Sequence, residues 1–381
     1  MNPPVHPAGI PPENTPVQFM DRALELARQA LGTTSPNPAV GALLVRDGRI
    51  LGEGYTLPPG QRHAEIGALE QAGPLARGAT LYTTLEPCCN YGRTPPCTRA
   101  IIAAGVSRVV IGAIDPNPRV SGQGRAELEA AGIQTTFQDH AAARQLYEAF
   151  AKHINTGQPF VTAKFAMSLD GKIATRTGDS KWVTGPQARQ LVQRLRRESD
   201  GVLVGINTVL ADDPQLTVRD ERGHPAERQP NRIILDSRGR TPPQARLLRE
   251  PGTTIIAVTL EAPAQRVQQL RSAGADIITT PPDPSGRVRL AEVLAELGQR
   301  HLVSLLVEGG GGVLGSLFDG GLVDKLHAFI APVIIGGAGA ASPVEGLGAS
   351  RMSDGWQLDR TELQQVGPDW LITGYPVRRK E

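Results

Sequence analysis

Two stretches hold the most chemically specific residues of this 381-residue chain: HAE at residues 63–65 and EPCCNYGRTPPC at residues 86–97. Together they supply one imidazole, a carboxylate close behind it, and three thiols. Three nitrogen and sulfur ligands with an open fourth position are typical of a catalytic zinc site, whereas a structural site is normally closed by a fourth protein ligand. A nearby glutamate that can move protons is typical of hydrolytic deaminases. The two stretches therefore predict a zinc-dependent deaminase.

The candidate ligands stand at the starts of two predicted helices. His63 precedes a helix predicted over residues 64–72, and the loop from Cys88 to Cys97 leads into one predicted over residues 98–104. The positive ends of helix dipoles favour the thiolate form that zinc requires. Glu65 need not bind the metal, so it is free to take a proton from the attacking water and return it to the leaving amine.

The pattern of apolar residues places these helices in a layered α/β domain. Helix and strand signals alternate along the first third of the chain, and alternation of this kind indicates helices packed on a sheet. An Asp47-Gly48 dipeptide between the first two strands predicts a tight hairpin turn. The predicted elements are helix 17–31, strands 40–45 and 50–55, helix 64–72, strand 80–85, helix 98–104 and strand 106–112.

A second unit is predicted from residue 160 onwards, after a link over residues 153–159 that contains Gly157 and Pro159. Its short apolar runs are typical of strands buried on both faces. Residues 220–230 are polar and predict a surface loop. The predicted elements are strand 160–167, helix 186–197, and strands 201–204, 232–236, 254–258, 302–307 and 326–335.

Composition limits the partners and the compartment. The 40 basic and 38 acidic residues give a net charge of +2, so no electrostatic feature favours nucleic acid or a membrane as partner. Three cysteines clustered within residues 88–97 favour metal binding over disulfides and imply a reducing compartment. No apolar run approaches the roughly 20 residues of a membrane span. Residues 1–16 lack signal-peptide features and are expected to form a flexible tail. We expect a cytoplasmic protein.

The zinc pattern resembles that of nucleoside and base deaminases, whose signature is H-x-E followed by P-C-x-x-C. This chain departs from the signature because eight residues separate Cys88 from Cys97. The longer loop, together with TSPNPAVG at residues 34–41, resembles the deaminase half of the bifunctional riboflavin-biosynthesis deaminase/reductases. The resemblance implies a cytidine-deaminase-like α/β domain over residues 17–153, with Asn37 as a substrate-binding residue.

Four segments of the second half carry a second pattern: SLDGKI at 168–173, SKWVT at 180–184, TVLADDP at 208–214 and EGGGG at 308–312. The glycine run at 309–312 follows a predicted strand and precedes an apolar helix, where backbone N–H groups suit a phosphate. It is not the G-x-G-x-x-G fingerprint, which argues against a Rossmann fold. Together the four segments resemble the reductase half of the same family. The resemblance implies a dihydrofolate-reductase-like α/β domain over residues 159–381 that uses NADPH.

The resemblance also implies a role for individual residues. Ser237, with Arg238, is expected at the 2′-phosphate of the cofactor, because arginine binds pairs of phosphate oxygens. Arg196 and Arg219 are expected to clamp the substrate phosphate, and either Asp212 or Glu308 to assist proton transfer. The expected cofactor-binding residues are Ala166, Ser180, Trp182, Thr208, Ser237, Gly310, Gly311, Gly312, Val313, Leu314, Gly315 and Ser316. The expected substrate-binding residues are Asn37, Arg196, Asp212, Leu216, Arg219 and Glu308.

The implied function is two successive reactions on a pyrimidine ribosyl phosphate by a homo-oligomeric enzyme. Zinc-dependent hydrolysis removes an amino group from 2,5-diamino-6-ribosylamino-4(3H)-pyrimidinone 5′-phosphate, and NADPH then reduces the ribosyl group to ribityl. Two alternatives remain open at this stage. One is a zinc deaminase of nucleosides or of tRNA adenosine with a non-catalytic C-terminal domain, although near-neutral charge disfavours tRNA. The other is a non-catalytic nucleotide-binding protein in which Cys89 closes a structural zinc site.

Overall fold

The computed structural model describes residues 15–220 and 222–378. The chain divides into two compact units, Met1–Asn155 and Thr156–Glu381. Each unit contains its own sheet, with helices packed against it. The predicted α/β class is confirmed in both units.

The first helix begins within the segment predicted to form a flexible N-terminal tail. Residues 1–14 of that tail lie outside the described residues. Thr15 caps the first helix: its hydroxyl accepts the N–H of Gln18, and the Gln18 side chain accepts the N–H of Thr15. Pro16 occupies the first helical position, where an N–H is not needed. The predicted tail therefore extends two residues too far.

The first unit alternates helices and strands along the chain. Its helices are α1 (Pro16–Ala30), α2 (Ala64–Ala72), α3 (Cys97–Ala104), α4 (Gln123–Ala130), α5 (Ala141–Leu146) and α6 (Glu148–Thr156), the last of which crosses into the second unit. Its strands are β1 (Gly41–Arg46), β2 (Arg49–Tyr55), β3 (Thr80–Thr83), β4 (Arg108–Ile111) and β5 (Gln134–Phe137).

The first sheet has the strand order β2-β1-β3-β4-β5. β1 pairs with β2 and β3 in antiparallel fashion, whereas β3, β4 and β5 are parallel. Asp47 and Gly48 join β1 to β2 with φ values of 51° and 73°, as a primed hairpin turn requires. The loop that holds Cys88 follows the carboxyl end of β3, so the sheet fixes where this loop begins.

Two glycines let helices lie directly on this sheet. A Cβ at Gly41 would stand 1.9 Å from the carbonyl oxygen of Ala23 on α1, and a Cβ at Gly54 would stand 2.1 Å from that of Ala64 on α2. No larger residue fits at either position without displacing a helix. The close contact at Gly54 fixes the start of α2, next to His63.

The second unit is built on a larger sheet. Its strands are β6 (Phe160–Ser168), β7 (Gly201–Gly205), β8 (Asn231–Leu235), β9 (Thr254–Thr259), β10 (Asp276–Thr280), β11 (Ser304–Val307), β12 (Lys325–Ala331), β13 (Trp356–Val366) and β14 (Asp369–Arg378). Its helices are α7 (Pro186–Glu198), α8 (Ile206–Asp212), α9 (Ala264–Ser272), α10 (Leu290–Gln299) and α11 (Gly311–Asp319).

The nine strands of this sheet follow the order β10-β9-β8-β7-β11-β6-β12-β14-β13. The seven strands from β10 to β12 are parallel, and β14 and β13 complete the sheet in antiparallel fashion. Successive residues of β8 enter different core clusters, Ile233 on one face and Ile234 on the other. Both faces of the parallel strands are therefore covered, as the continuous apolar runs predict.

Most predicted elements lie within two residues of an observed one. The strand predicted over residues 326–335 ends at Ala331, and residues 332–335 continue without strand pairing. The elements missing from the prediction are α4, β5, α5, α6, α8, α9, α10, β10, β13 and β14. Within residues 15–220 and 222–378, every helix is too short or too polar to cross a membrane.

Candidate active sites

Three side chains of the first unit converge on one point. The ligand atoms of His63, Cys88 and Cys97 all lie within 4.8 Å of one another. Nδ1 of His63 is 3.6 Å from the sulfur of Cys88 and 3.3 Å from that of Cys97. His63 immediately precedes α2, Cys97 begins α3, and Cys88 lies in the loop after β3. One nitrogen and two sulfurs at this spacing fit a tetrahedral zinc ion with a fourth position open.

Local hydrogen bonds favour the thiolate form of Cys88 but not of Cys97, whose pKa is raised by its hydrogen bond to Cys88 and by burial. The backbone N–H of Cys97 donates to the sulfur of Cys88 over 3.3 Å. Hydrogen bonding from Cys97 lowers the pKa of the Cys88 thiol, although burial opposes the shift. Cys89 is partly buried, and among the described residues it lies outside the group of three converging side chains. The geometry thus supports three protein ligands.

Glu65 lies beside the cluster, in the first turn of α2. Its residue is only 3% exposed, and this burial is the main cause that raises its pKa to about 7. A carboxyl group with a pKa near neutrality can both accept and donate a proton in one catalytic cycle. The position suits the role predicted for Glu65.

Glu86 is a supporting residue that the sequence analysis missed. Its buried carboxylate accepts the backbone N–H groups of Asp115, Gly122 and Arg125, with distances of 3.3, 2.9 and 3.0 Å. These bonds join the start of α4 to the loop that holds Cys88. A lone glutamate before a proline gives no signal of such distant backbone partners. Asn37, predicted to bind substrate, lies in the turn before β1, where its N–H donates to the carbonyl of Thr34.

A cavity of about 1710 Å³ opens at the carboxyl ends of the parallel strands in the second unit. It exceeds the ~300–1,000 Å³ of a typical single-ligand pocket, so it has room for a cofactor and a substrate together. Fourteen of the predicted site residues line it. They are Ala166, Ser180, Trp182, Arg196, Thr208, Asp212, Ser237, Arg238, Glu308, Gly310, Gly311, Gly312, Val313 and Ser316.

Four other predicted site residues do not line this cavity. Leu314 is fully buried in the core beneath α11, and the backbone of Gly315 lies against that of Glu345. Leu216 packs into the core cluster on one face of the sheet. The guanidinium of Arg219 donates to the hydroxyl of Thr217 and the carbonyl of Gly223. Consecutive residues of a helix or a turn face different directions. A continuous stretch assigned to the site from a family resemblance therefore includes residues whose side chains point away from the cavity.

Three charged side chains that are mostly shielded from solvent lie together in the lining of the cavity. Arg196 donates two hydrogen bonds to the carboxylate of Glu308, at 2.5 and 3.0 Å, and Nζ of Lys164 lies 3.9 Å from the same carboxylate. Burial raises the pKa of Glu308, but the charges of Arg196 and Lys164 outweigh it and hold the pKa below its usual value. Burial, partly offset by Glu308, lowers the pKa of Lys164. The surroundings therefore favour an ionised Glu308, with the cations of Arg196 and Lys164 beside it; Lys164 is absent from the prediction.

A second cationic region lies where β8 ends. The hydroxyl of Ser237 accepts the N–H of Val288, which ties it to the hairpin formed by residues 282–288. From this hairpin Arg287 donates to the hydroxyl of Ser316 on α11 over 3.4 Å. Arg238 and Arg287 both line the cavity. Two arginines beside a serine and a helix start suit the phosphates of a dinucleotide.

Comparisons with known proteins agree with this division of the chain. The family described as the RibD C-terminal domain matches residues 159–372, and the family described as the cytidine and deoxycytidylate deaminase zinc-binding region matches residues 13–113. Riboflavin biosynthesis protein RibD of Bacillus amyloliquefaciens is 42% identical over 365 residues, which cover 95% of this chain and 97% of that protein. The protein of the same name from Escherichia coli is 43% identical, over 92% of this chain and 96% of its own.

Solved structures give the same result. The structure of Acinetobacter baumannii RibD superposes with a TM-score of 0.82 at 38% identity, and covers 94% of this chain and 98% of that one. A deaminase/reductase structure from Thermotoga maritima has a TM-score of 0.79 at 36% identity, with the same coverage of both chains.

Proposed function

The chain belongs to the RibD family of riboflavin-biosynthesis proteins, and from that membership we propose which residues carry out each of its reactions. It is a bifunctional enzyme with a zinc-dependent deaminase domain and an NADPH-dependent reductase domain, and it acts on a small-molecule substrate. The presence of the reductase domain sets aside both alternatives with a non-catalytic C-terminal half.

We propose that this chain catalyses the two reactions after which the Thermotoga maritima relative is named. That protein is described as a diaminohydroxyphosphoribosylaminopyrimidine deaminase and a 5-amino-6-(5-phosphoribosylamino)uracil reductase. For this chain, water replaces an amino group of the pyrimidine and ammonia leaves. A hydride and a proton are then added to the ribosyl group, which becomes ribityl. The observation that carries the proposal is the convergence of His63, Cys88 and Cys97 beside the buried Glu65.

In the deaminase domain, His63, Cys88 and Cys97 are proposed to hold zinc. The ion, when bound, supplies a Lewis acid that makes water nucleophilic near neutral pH. The Glu65 carboxylate accepts a proton from the attacking water and donates one to the amino group as it leaves. Burial of Glu65 keeps this proton away from bulk solvent. Asn37 stays a candidate for binding the substrate.

In the reductase domain, Lys164 is proposed to supply the proton taken up during reduction. NADPH, when bound, provides the hydride, and the protein positions the two reactants. Because Arg196 already binds Glu308 with both arms of its guanidinium, we propose that it holds Glu308 rather than the substrate phosphate. The ionised Glu308 then orients the ammonium of Lys164. Asp212 remains a candidate for contact with the substrate, at the cavity wall.

The cofactor is proposed to lie along the start of α11, against Gly310, Gly311, Gly312, Val313 and Ser316. First-turn N–H groups of this helix suit the pyrophosphate. Ser237 and Arg238 meet the 2′-phosphate, and Arg287 is added to them because its hairpin is hydrogen-bonded to Ser237.

We also propose that the enzyme works in the cytoplasm as a homo-oligomer, with neither nucleic acid nor a membrane as partner. The need for reduced thiols at Cys88 and Cys97 supports the compartment. Near-neutral charge disfavours nucleic acid. Family resemblance supports the oligomer, and light scattering on the purified chain would test it: a single species of one-chain mass would contradict this part.

The decisive experiment supplies the diaminopyrimidinone ribosyl phosphate with and without NADPH. We expect ammonia release in both cases and NADPH oxidation whenever the cofactor is present. Ammonia release without oxidation of NADPH would contradict the proposed second reaction. Oxidation only after addition of separately deaminated substrate would contradict the first.

A further inference from the structure

The two ring nitrogens of His63 face different partners. Nδ1 points to the sulfurs of Cys88 and Cys97, as described above, whereas Nε2 lies 3.2 Å from the hydroxyl oxygen of Thr94. A neutral imidazole that binds a metal through one nitrogen keeps its hydrogen on the other. When Nδ1 binds zinc beside the two sulfurs, the hydrogen belongs on Nε2, where the Thr94 oxygen can accept it.

We propose that Thr94 is a positioning residue of the zinc site, whose hydroxyl fixes the tautomer and the ring orientation of His63. The inference rests on the proposed role of His63, Cys88 and Cys97 as zinc ligands. Histidines that bind metals usually donate their second N–H to an oxygen acceptor, which raises the basicity of the ligand and holds the ring in place. A hydroxyl can accept this bond and still donate its own hydrogen elsewhere.

The loop between the two cysteines is folded so that it can deliver this hydroxyl. Its ends are fastened to each other, because the N–H groups of Cys97 and Thr98 donate to the sulfur and the carbonyl oxygen of Cys88. Within the loop, the N–H of Gly92 donates to the carbonyl of Thr94 over 3.3 Å.

A second attachment holds the outer part of the same loop. Arg99, on α3, donates to the hydroxyl of Tyr91 over 2.7 Å, and its guanidinium lies 5.0 Å from the centre of the Tyr91 ring.

This arrangement assigns a purpose to the eight residues that separate the cysteines. If only two residues separated the cysteines, the chain between them could extend little beyond the two sulfur ligands, since each residue spans at most ~3.3–3.6 Å. Eight residues allow the chain to leave Cys88, pass beside the imidazole of His63 and return to Cys97. The loop thus carries its own hydrogen-bond acceptor for the zinc-binding histidine.

The test replaces Thr94 by valine, which keeps the shape and removes the hydroxyl, and by serine, which keeps the hydroxyl. Zinc affinity of the full chain is measured by competition with a chromophoric chelator. We expect Thr94→Val to weaken zinc binding about 10–100-fold, as loss of such a partner usually does, and Thr94→Ser to stay within about threefold of the wild type. Thr136→Val is the control: it removes a hydroxyl on β5 that accepts a hydrogen bond from Arg108 on β4, and it should leave zinc affinity unchanged.

Two outcomes overturn the proposal. One is wild-type affinity in Thr94→Val; the other is equal loss in Thr94→Ser and Thr94→Val, which would show that the hydroxyl is not what matters. Cys97→Ser separates these results from failure of the ligand assignment. If Cys97→Ser binds zinc as tightly as the wild type, the proposed ligands themselves are wrong.

Discussion

Glu65 and Glu308 are both buried carboxylates, yet their surroundings move their pKa values in opposite directions. Around Glu65, burial dominates and raises the pKa to about 7. Around Glu308, the charges of Arg196 and Lys164 overcome burial and lower it. At the residue scale, the first carboxylate is therefore suited to carry a proton, and the second to stay charged and orient a cation.

Substitution Glu65→Gln tests the proton carrier of the deaminase. The amide keeps the shape of the side chain and cannot exchange a proton, so we expect ammonia release to fall about 10²–10⁴-fold. Zinc content should remain at the wild-type level, because Glu65 lies outside the group of candidate ligands. NADPH oxidation with deaminated substrate serves as the control and should not change. Normal deamination by the variant would show that another group moves the proton.

Substitution of Lys164 tests the proton donor of the reductase. Lys164→Met removes the donor, and Lys164→Arg keeps the charge but holds its proton too tightly to donate it. We expect both to lower kcat for reduction about 100-fold or more, with deamination unchanged. A kcat within a few fold of the wild type in Lys164→Arg would rule out proton donation by Lys164.

The lowered pKa of Lys164 also predicts a pH dependence. Because burial favours the neutral amine, the ammonium form is lost at a lower pH than for an exposed lysine. Reduction by the wild type should therefore decline as pH rises through this lowered pKa. The residual activity of Lys164→Arg should lack that decline, since its guanidinium stays protonated. Identical pH–rate profiles for the two enzymes would contradict the assignment.

At the element scale, the prediction from sequence succeeded where one signal was strong. The Asp47-Gly48 turn, the helix that ends at Gly73 and the buried runs of β7 and β9 needed only local information. The segments α4, β5 and α5 were missed because they are short and carry little periodic apolar pattern; α6 is amphipathic but only nine residues long. Exposed β13 was missed for a related reason, since pairing with β14 rather than burial keeps it in the sheet.

The candidate sites follow the same rule. The zinc cluster could be predicted because its residue types and spacing carry the chemistry. Lys164 could not, because a lysine on a strand is ordinary until the fold places it 3.9 Å from Glu308. Leu216 was assigned to the site by its position in a motif, and the fold turns it into the core instead.

The contact between α2 and β2 predicts that Gly54→Ala damages the deaminase domain. The new methyl group would meet the carbonyl of Ala64 at 2.1 Å, so α2 must shift, and with it His63 and Glu65. We expect the unfolding free energy of this domain to fall by about 1–3 kcal/mol, measured as a lower urea midpoint for zinc release. Gly67→Ala is the matched control: its methyl group would stand 3.4 Å from the Cα of Gly54, an ordinary contact, and it should not lower the midpoint.

The hairpin of residues 282–288 predicts a determinant of cofactor choice. Arg287→Ala removes a cation that we place beside the 2′-phosphate, a group that NADH lacks. A hydrogen bond to a charged group contributes about 1.5–3 kcal/mol, so the KM for NADPH should rise at least about tenfold while the KM for NADH stays unchanged. Arg271→Ala on α9, outside the cavity lining, is the control. Equal increases in both KM values would place Arg287 elsewhere on the cofactor.

At the scale of the whole molecule, each unit carries its own core and its own chemistry. One large apolar cluster is formed by residues between Phe19 and Tyr147, and the clusters of the second unit by residues between Val161 and Leu371. The candidate zinc ligands and the lining of the reductase cavity are likewise confined to separate units. Each described residue of either site belongs to the unit that contains that site.

This separation predicts that removal of zinc stops one reaction and leaves the other. Treatment of the full chain with a strong chelator should abolish ammonia release, since His63, Cys88 and Cys97 would then hold no Lewis acid. Oxidation of NADPH with deaminated substrate should continue at the wild-type rate, because none of the groups assigned to it binds the metal. Readdition of one equivalent of zinc should restore deamination. If the chelated enzyme also lost its reductase activity, and zinc restored both, the two units would depend on each other in a way that their separate cores do not explain.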